Sequence, residues 1–216
     1  MKRLTALAVL TAALVLSGCP QKAPPSRGVY LLMDTSGTYT KELDKAQRII
    51  SFILAKLNPG DSFAVGRIDT GSFSEKDIVA RATFQDRPSV ANQQKREFRT
   101  KVKDFVGDVE SASHTDITGG VLQATEWLNE VDAGQKVVLI FSDLKEDLPE
   151  GYVRDVSLEL TDFDVVALNV TKLRSDIVDP KKYLGRLDAW QERVEKAGGD
   201  WRVINDLDHM KGLFSE

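Results

Sequence analysis

Two kinds of apolar spacing succeed one another through this 216-residue chain. Short runs that are apolar almost throughout alternate with longer segments whose apolar positions recur every three or four residues. The short runs are 28–34 (GVYLLMD), 62–69 (SFAVGRID), 77–84 (DIVARATF), 136–143 (KVVLIFSD), 163–170 (FDVVALNV) and 201–204 (WRVI). Several lack a polar face, as expected of strands covered on both sides by helices. Between the runs, Leu43, Ala46, Ile50, Ile53 and Leu57 form one helical stripe, closed by Asn-Pro-Gly-Asp. Phe98, Val102 and Phe105 mark a second helix, and Val121, Ala124, Leu128 and Val131 a third. Tyr183, Leu187, Trp190, Val194 and Ala197 mark another, ended by two glycines; Trp190 and Trp201 read as core residues rather than binding platforms.

The runs at 62–69 and 77–84 are joined by TGSFSEK, which suits a hairpin and makes 77–84 an antiparallel edge strand. The remainder alternates strand and helix. This predicts an α/β, Rossmann-like fold: an open, mostly parallel six-stranded sheet with helices on both faces. In such sheets ligands sit outside the carboxyl ends of the strands, where the winding direction reverses. The first strand ends at Asp34 and the fourth at Asp143, so if these strands are neighbours their carboxylates face one crevice.

Asp34 also opens the hydroxyl-rich turn Asp34-Thr35-Ser36-Gly37-Thr38. With HTDITGGVLQA at 114–124 and VLIFSD at 138–143, it resembles the three motifs of von Willebrand factor type A domains, in the same order. Asp34-to-Thr38 has the form D-x-S-x-S/T, Thr115 matches the threonine that opens a helix, and Asp143 matches the aspartate that ends an apolar strand. The resemblance covers essentially all of 28–216, strand order included. It implies a metal-ion-dependent adhesion site formed by Asp34, Ser36, Thr38, Thr115 and Asp143; His114, beside Thr115, reads from the sequence as an exposed residue on the rim. The site would hold Mg²⁺ or Mn²⁺ and accept a carboxylate from a protein partner. Thr38 stands where serine is common, and His114 and Leu144 stand where glycine is frequent; none of these departures removes a ligand oxygen.

Elementary coordination chemistry agrees with that set. A hard cation such as Mg²⁺ takes about six oxygens and keeps water in the positions the protein leaves free. Two carboxylates with hydroxyls, and no His or Cys, favour Mg²⁺ or Mn²⁺ over Zn²⁺. The same residues also suit simpler work: Thr38 or Thr40 can cap the first helix, and Thr115 or Asp116 the third.

The N-terminus reads MKRLTALAVLTAALVLSGCP. Lys2 and Arg3 precede the 13 apolar and small residues Leu4 to Leu16, whereas a membrane-spanning helix needs about 20. Residues 1–18 therefore read as a secretion signal. LSGC resembles a bacterial lipobox, which makes Cys19 the first mature residue and the carrier of a covalent lipid. It is the only cysteine, so no intrachain disulfide is available. Pro20 follows it, not the aspartate that retains such lipoproteins in an inner membrane. The expected location is the extracytoplasmic side of the cell envelope, and in a two-membrane bacterium the periplasmic face of the outer membrane. Residues 19–27 form a proline-rich tether whose eight residues after Cys19 reach at most about 26–29 Å, and 28–216 form one domain.

The formal charge is −4, and loss of Lys2 and Arg3 takes it to −6. With no basic block, nucleic acid is excluded as the expected partner. No G-x-G-x-x-G follows the first strand and no G-x-S-x-G elbow is present, which argues against dinucleotide binding and serine hydrolysis. A haloacid-dehalogenase-type phosphatase begins with Asp-x-Asp-x-Thr, but Ser36 occupies the place of its second aspartate, the general acid. The expectation is a non-catalytic protein-binding module with no small-molecule substrate. The same scaffold with a vestigial metal site is the alternative, and a phosphatase-like hydrolase a more remote one.

Overall fold

The computed structural model describes residues 26–214 apart from residues 38 and 155, and the backbone alone at 40, 174, 207 and 208. The apolar runs form β1 (Arg27–Asp34), β2 (Ser62–Ile68), β3 (Ile78–Thr83), β4 (Gln135–Phe141), β5 (Phe163–Leu168) and β6 (Asp200–Ile204). They make one six-stranded sheet in the order β3-β2-β1-β4-β5-β6. Every neighbouring pair is parallel except β2 and β3. The antiparallel edge strand and the adjacency of β1 and β4 are as expected. The strand boundaries shift by one or two residues from the apolar runs, and one shift bears on the site: β4 stops at Phe141, so Asp143 stands two residues beyond the strand.

The period of two along each strand sorts the core into two layers. Val29, Leu31 and Met33 of β1 and Val137, Leu139 and Phe141 of β4 face α1 (Leu43–Lys56) and α2 (Pro88–Asp108). Tyr30, Leu32, Val138 and Ile140 face the opposite layer, built by α3 (Ile117–Glu130) and, beyond the short α4 (Arg174–Val178), by α5 (Pro180–Lys196). A last short helix, α6 (Leu207–Met210), returns Met210 to the first layer. Trp190 is buried and Trp201 half-buried against the second layer. Tyr30 fits inside a strand because Gly66 stands beside it on β2, where a Cβ would lie 2.5 Å from the tyrosine oxygen.

The start of α3 decides between Thr115 and Asp116 as its cap. A 3₁₀ turn, Thr40–Glu42, precedes α1, whose N-cap position is Glu42 with no side-chain cap bond. Helix α3 is capped by Asp116, which accepts from the Gly119 N–H at 2.8 Å. Capping therefore leaves the hydroxyl of Thr115 to other uses.

Candidate functional site

Asp34 is the last residue of β1 and is fully buried. Its Oδ1 accepts from the Ser36 N–H at 2.8 Å, and its Oδ2 accepts from the Ser142 hydroxyl at 2.6 Å. Ser142, which sequence reasoning missed, thus ties the first motif to the third. The turn after Asp34 is pinned by neighbouring elements. The Thr35 hydroxyl donates to the Ile68 carbonyl at 2.8 Å, and the Ala112 N–H donates to the Thr35 carbonyl at 2.9 Å. Tyr39 donates its N–H to the Ser36 carbonyl at 2.8 Å. Its buried hydroxyl donates to the Asn169 carbonyl and accepts from the Asn169 amide at 2.8 Å.

The loop after β4 is held from α5. Arg186 Nε donates to the Asp143 carbonyl at 3.1 Å, and the Trp190 indole N–H donates to the Leu144 carbonyl at 3.2 Å. Arg186 is fixed in turn by two bonds, of 2.9 and 2.7 Å, to the buried carboxylate of Asp176. Leu144, where the resemblance leads one to expect glycine, has φ +64°, the left-handed region that glycine enters without steric cost. Its N–H donates to Ser142 Oγ at 3.0 Å, and the Lys145 N–H donates to Asp143 Oδ1 at 2.8 Å.

Burial pushes the Asp143 carboxyl above its ordinary value; the Lys145 N–H works against this, and the negative charge of Asp34 adds to it. The opposite holds at Asp176, where the Arg186 guanidinium brings the carboxyl down to about 2.

The third part of the arrangement is the start of α3. Thr115 exchanges two backbone hydrogen bonds with Asp147, at 2.7 and 2.9 Å. Asp116 accepts from Arg154 Nε at 2.9 Å and Nη2 at 2.7 Å, and Arg154 also donates to the Ser72 carbonyl. This close approach requires glycine at 119, where a Cβ would lie 2.5 Å from the Ser72 oxygen. Glu146 accepts from the Thr118 N–H at 2.7 Å and hydroxyl at 2.5 Å, and pairs with Arg193 at 3.3 Å.

Ser36, Thr115 and Asp143, with Gly37, Lys145 and Asp147, line a depression of about 300 Å³. Asp34 belongs to the same cluster through its bond to Ser36. Thr38 and Cys19 lie outside the described residues. His114 is partly exposed, with Nδ1 3.5 Å from Asp147 Oδ2, and does not line the depression. Among the described residues no group of three or more His, Cys, Asp or Glu gathers as a metal site. The donors assembled here are hydroxyls and two carboxylates, all oxygen, and that chemistry fits a hard cation of the Mg²⁺ class.

No family model matches the sequence, and no curated protein does. Solved structures do match. The pilus adhesin SpaC from Lactobacillus rhamnosus GG, in its open conformation, superposes over 90% of this chain and 30% of its own, with TM-score 0.56 and 11% identity. BatB from Bacteroides thetaiotaomicron superposes over 88% of this chain and 96% of its own, with TM-score 0.53 and 11% identity. A von Willebrand factor type A protein from Catenulispora acidiphila covers 88% of this chain, which spans 41% of that one, with TM-score 0.49 and 17% identity. Strand order, the places of the three motifs and the first two superpositions agree. The fold is that of a von Willebrand factor type A domain. In this type A fold the crevice between β1 and β4 is the point where the strand order reverses, and the depression lies there. Among the described residues no helix is long and apolar enough to cross a membrane.

Proposed function

We propose that this chain is a type A domain held at the cell envelope by a lipid on Cys19, and that it binds a protein partner through a divalent cation. Asp34, Ser36, Thr38, Thr115 and Asp143 would hold Mg²⁺ or Mn²⁺. The bound ion supplies an electrophilic position that an acidic side chain of the partner completes. The chain's own residues do the rest: Asp34 fixes the first turn through the Ser36 N–H, Ser142 joins that turn to the third motif, and Arg186 and Trp190 hold the loop that carries Asp143. No step is catalytic.

The observation that carries this reading is the convergence of Ser36, Thr115 and Asp143, from three distant loops, on one depression beside the buried Asp34. The likeness of fold to a pilus adhesin supports a binding role. The test is thermal melting of the full chain with chelator, Mg²⁺ or Mn²⁺. The wild type is expected to gain RT ln(1 + [M]/Kd), about 2.7 kcal/mol at 100 times Kd. Asp34→Ala is expected to lose the gain while keeping the wild-type circular dichroism. Absence of any shift with either ion, together with a flat calorimetric titration, favours the scaffold with a vestigial site.

A further inference from the structure

Helix α3 and the loop between β2 and β3 enclose a second concavity, a groove of about 230 Å³. It shares no lining residue with the depression at Asp143. It is smaller than the roughly 300–1,000 Å³ of pockets that enclose whole small molecules, and suits one long side chain. Its walls are joined to each other. Gln123 of α3 accepts from the Tyr30 hydroxyl at 3.1 Å and donates to the Ser74 carbonyl of the loop at 2.5 Å. Trp127, also on α3, is held edge-on to Tyr30 with ring centroids 5.7 Å apart. The groove is therefore built before any partner arrives.

Its chemistry is two-sided. Ile78 and Trp127 contribute apolar surface, and Phe73, 48% exposed at φ +95°, stands at the edge. Glu75, Glu126 and Glu130 bring negative charge. Arg81 neutralises Glu75 at 3.2 Å. Glu126 and Glu130 are exposed, lie one turn apart on α3, and take part in no ion pair among the described residues. Like charges at this spacing repel each other. A neutral apolar anchor would cover both carboxylates and neutralise neither, and an acidic one would be repelled. A basic side chain satisfies both halves, with its methylene stem on the apolar surface and its charged head at the carboxylates.

We propose that this groove docks an arginine or lysine side chain of a protein partner, its stem against Ile78 and Trp127 and its head between Glu126 and Glu130. The proposal is independent of the metal site and stands whatever the outcome there.

The test uses ¹H–¹⁵N spectra of the full chain with chelator present, titrated with the blocked tripeptides Gly-Arg-Gly and Gly-Lys-Gly, and with Gly-Gln-Gly as the neutral control. The basic peptides are expected to displace the Trp127 indole signal and the Phe73, Glu126 and Glu130 amides saturably. Their affinity should be at least about tenfold above the control and should weaken with added salt. Glu126→Gln with Glu130→Gln, two exposed changes that leave the core alone, should reduce the basic peptides to the level of the control. Equal binding of the glutamine peptide overturns the proposal. So does unchanged arginine binding by the double variant, or no displacement of these four signals up to the solubility of the peptides.

Discussion

Leu144 occupies a backbone conformation that its side chain disfavours, and that conflict can be measured. The residue is 2% exposed and packs in the layer with Ile140 and Trp190, while its φ is +64°. Replacing it with alanine removes a buried leucine side chain, which costs about 2–5 kcal/mol. Glycine removes the same atoms and one more. At an ordinary backbone position glycine is worse than alanine by about 0.5–1 kcal/mol, because it loses more freedom on folding. Here alanine keeps the left-handed penalty, about 1–2 kcal/mol, and glycine escapes it. At the midpoints of the two ranges, Leu144→Gly is left more stable than Leu144→Ala by about 0.75 kcal/mol, with both below wild type. Urea denaturation of the three proteins, compared at a common slope, gives the difference directly. If alanine proves equal to or better than glycine, the residue is not left-handed in solution. The holding of the Asp143 and Leu144 carbonyls by Arg186 and Trp190 would then be misread as well.

Ile140→Ala, at a fully buried position of the central strand β4, should cost about 2–5 kcal/mol in the same assay, and a loss below about 0.5 kcal/mol would refute the placement of that strand. The depressed Asp176 carboxyl contributes stability that is complete above its unfolded value of 3.8 and is lost as the pH falls toward about 2. Asp176→Asn should flatten that acid limb in urea titrations run at stepped pH, and an unchanged limb would refute the pairing with Arg186. Cys19→Ser should abolish incorporation of a labelled fatty acid during expression in a bacterial host; equal labelling of the two forms would remove the lipid anchor.

Much of the fold was legible because β1, β4 and β5 are covered on both faces, which leaves the unbroken apolar stretches 29–33, 137–141 and 165–168. The antiparallel β3 followed from the short connection after β2. The connection from β4 to β5 was harder to read. The described residues of 142–162 carry no regular helix although β4 and β5 are parallel, and Leu158 and Leu160 are buried from irregular backbone. Helices α4 and α6, of five and four residues, are too short to show a period. Asp34, Ser36, Thr115 and Asp143 could be named as candidates because each motif is local, and the fold brings Ser36, Thr115 and Asp143 to one depression beside Asp34. Ser142 was missed because its partner Asp34 is 108 residues away, and Arg154 because its bond to Asp116 spans 38. No spacing rule connects residues that only the folded sheet brings together.

The charges around the crevice carry one more argument. Asp116, Asp176 and Glu146 are each matched by an arginine, Arg154, Arg186 and Arg193. Asp34 and Asp143, 0% and 3% exposed, have no ion-pair partner among the described residues, and Arg186 reaches only the carbonyl of Asp143. Buried charge that lacks a basic partner is neutralised by a proton or a metal. Burial and the charge of Asp34 raise the Asp143 carboxyl in the direction of the first outcome, against the Lys145 N–H and the positive charges of Arg186 and Lys145. In metal-free protein the folded state then binds more protons than the unfolded one, so stability should fall as the pH rises from 3.8 through the folded value. A cation needs the ionised carboxylate, so its affinity should rise through the same window, with proton release. Calorimetric titration of Mg²⁺ or Mn²⁺ at several pH values, in buffers of different ionisation enthalpy, measures both quantities. Asp143→Asn should remove the pH dependence of binding along with most of the affinity. Metal binding that is strong and equally tight on both sides of the window would show that proton and cation do not compete for Asp143, and that the cation lies elsewhere.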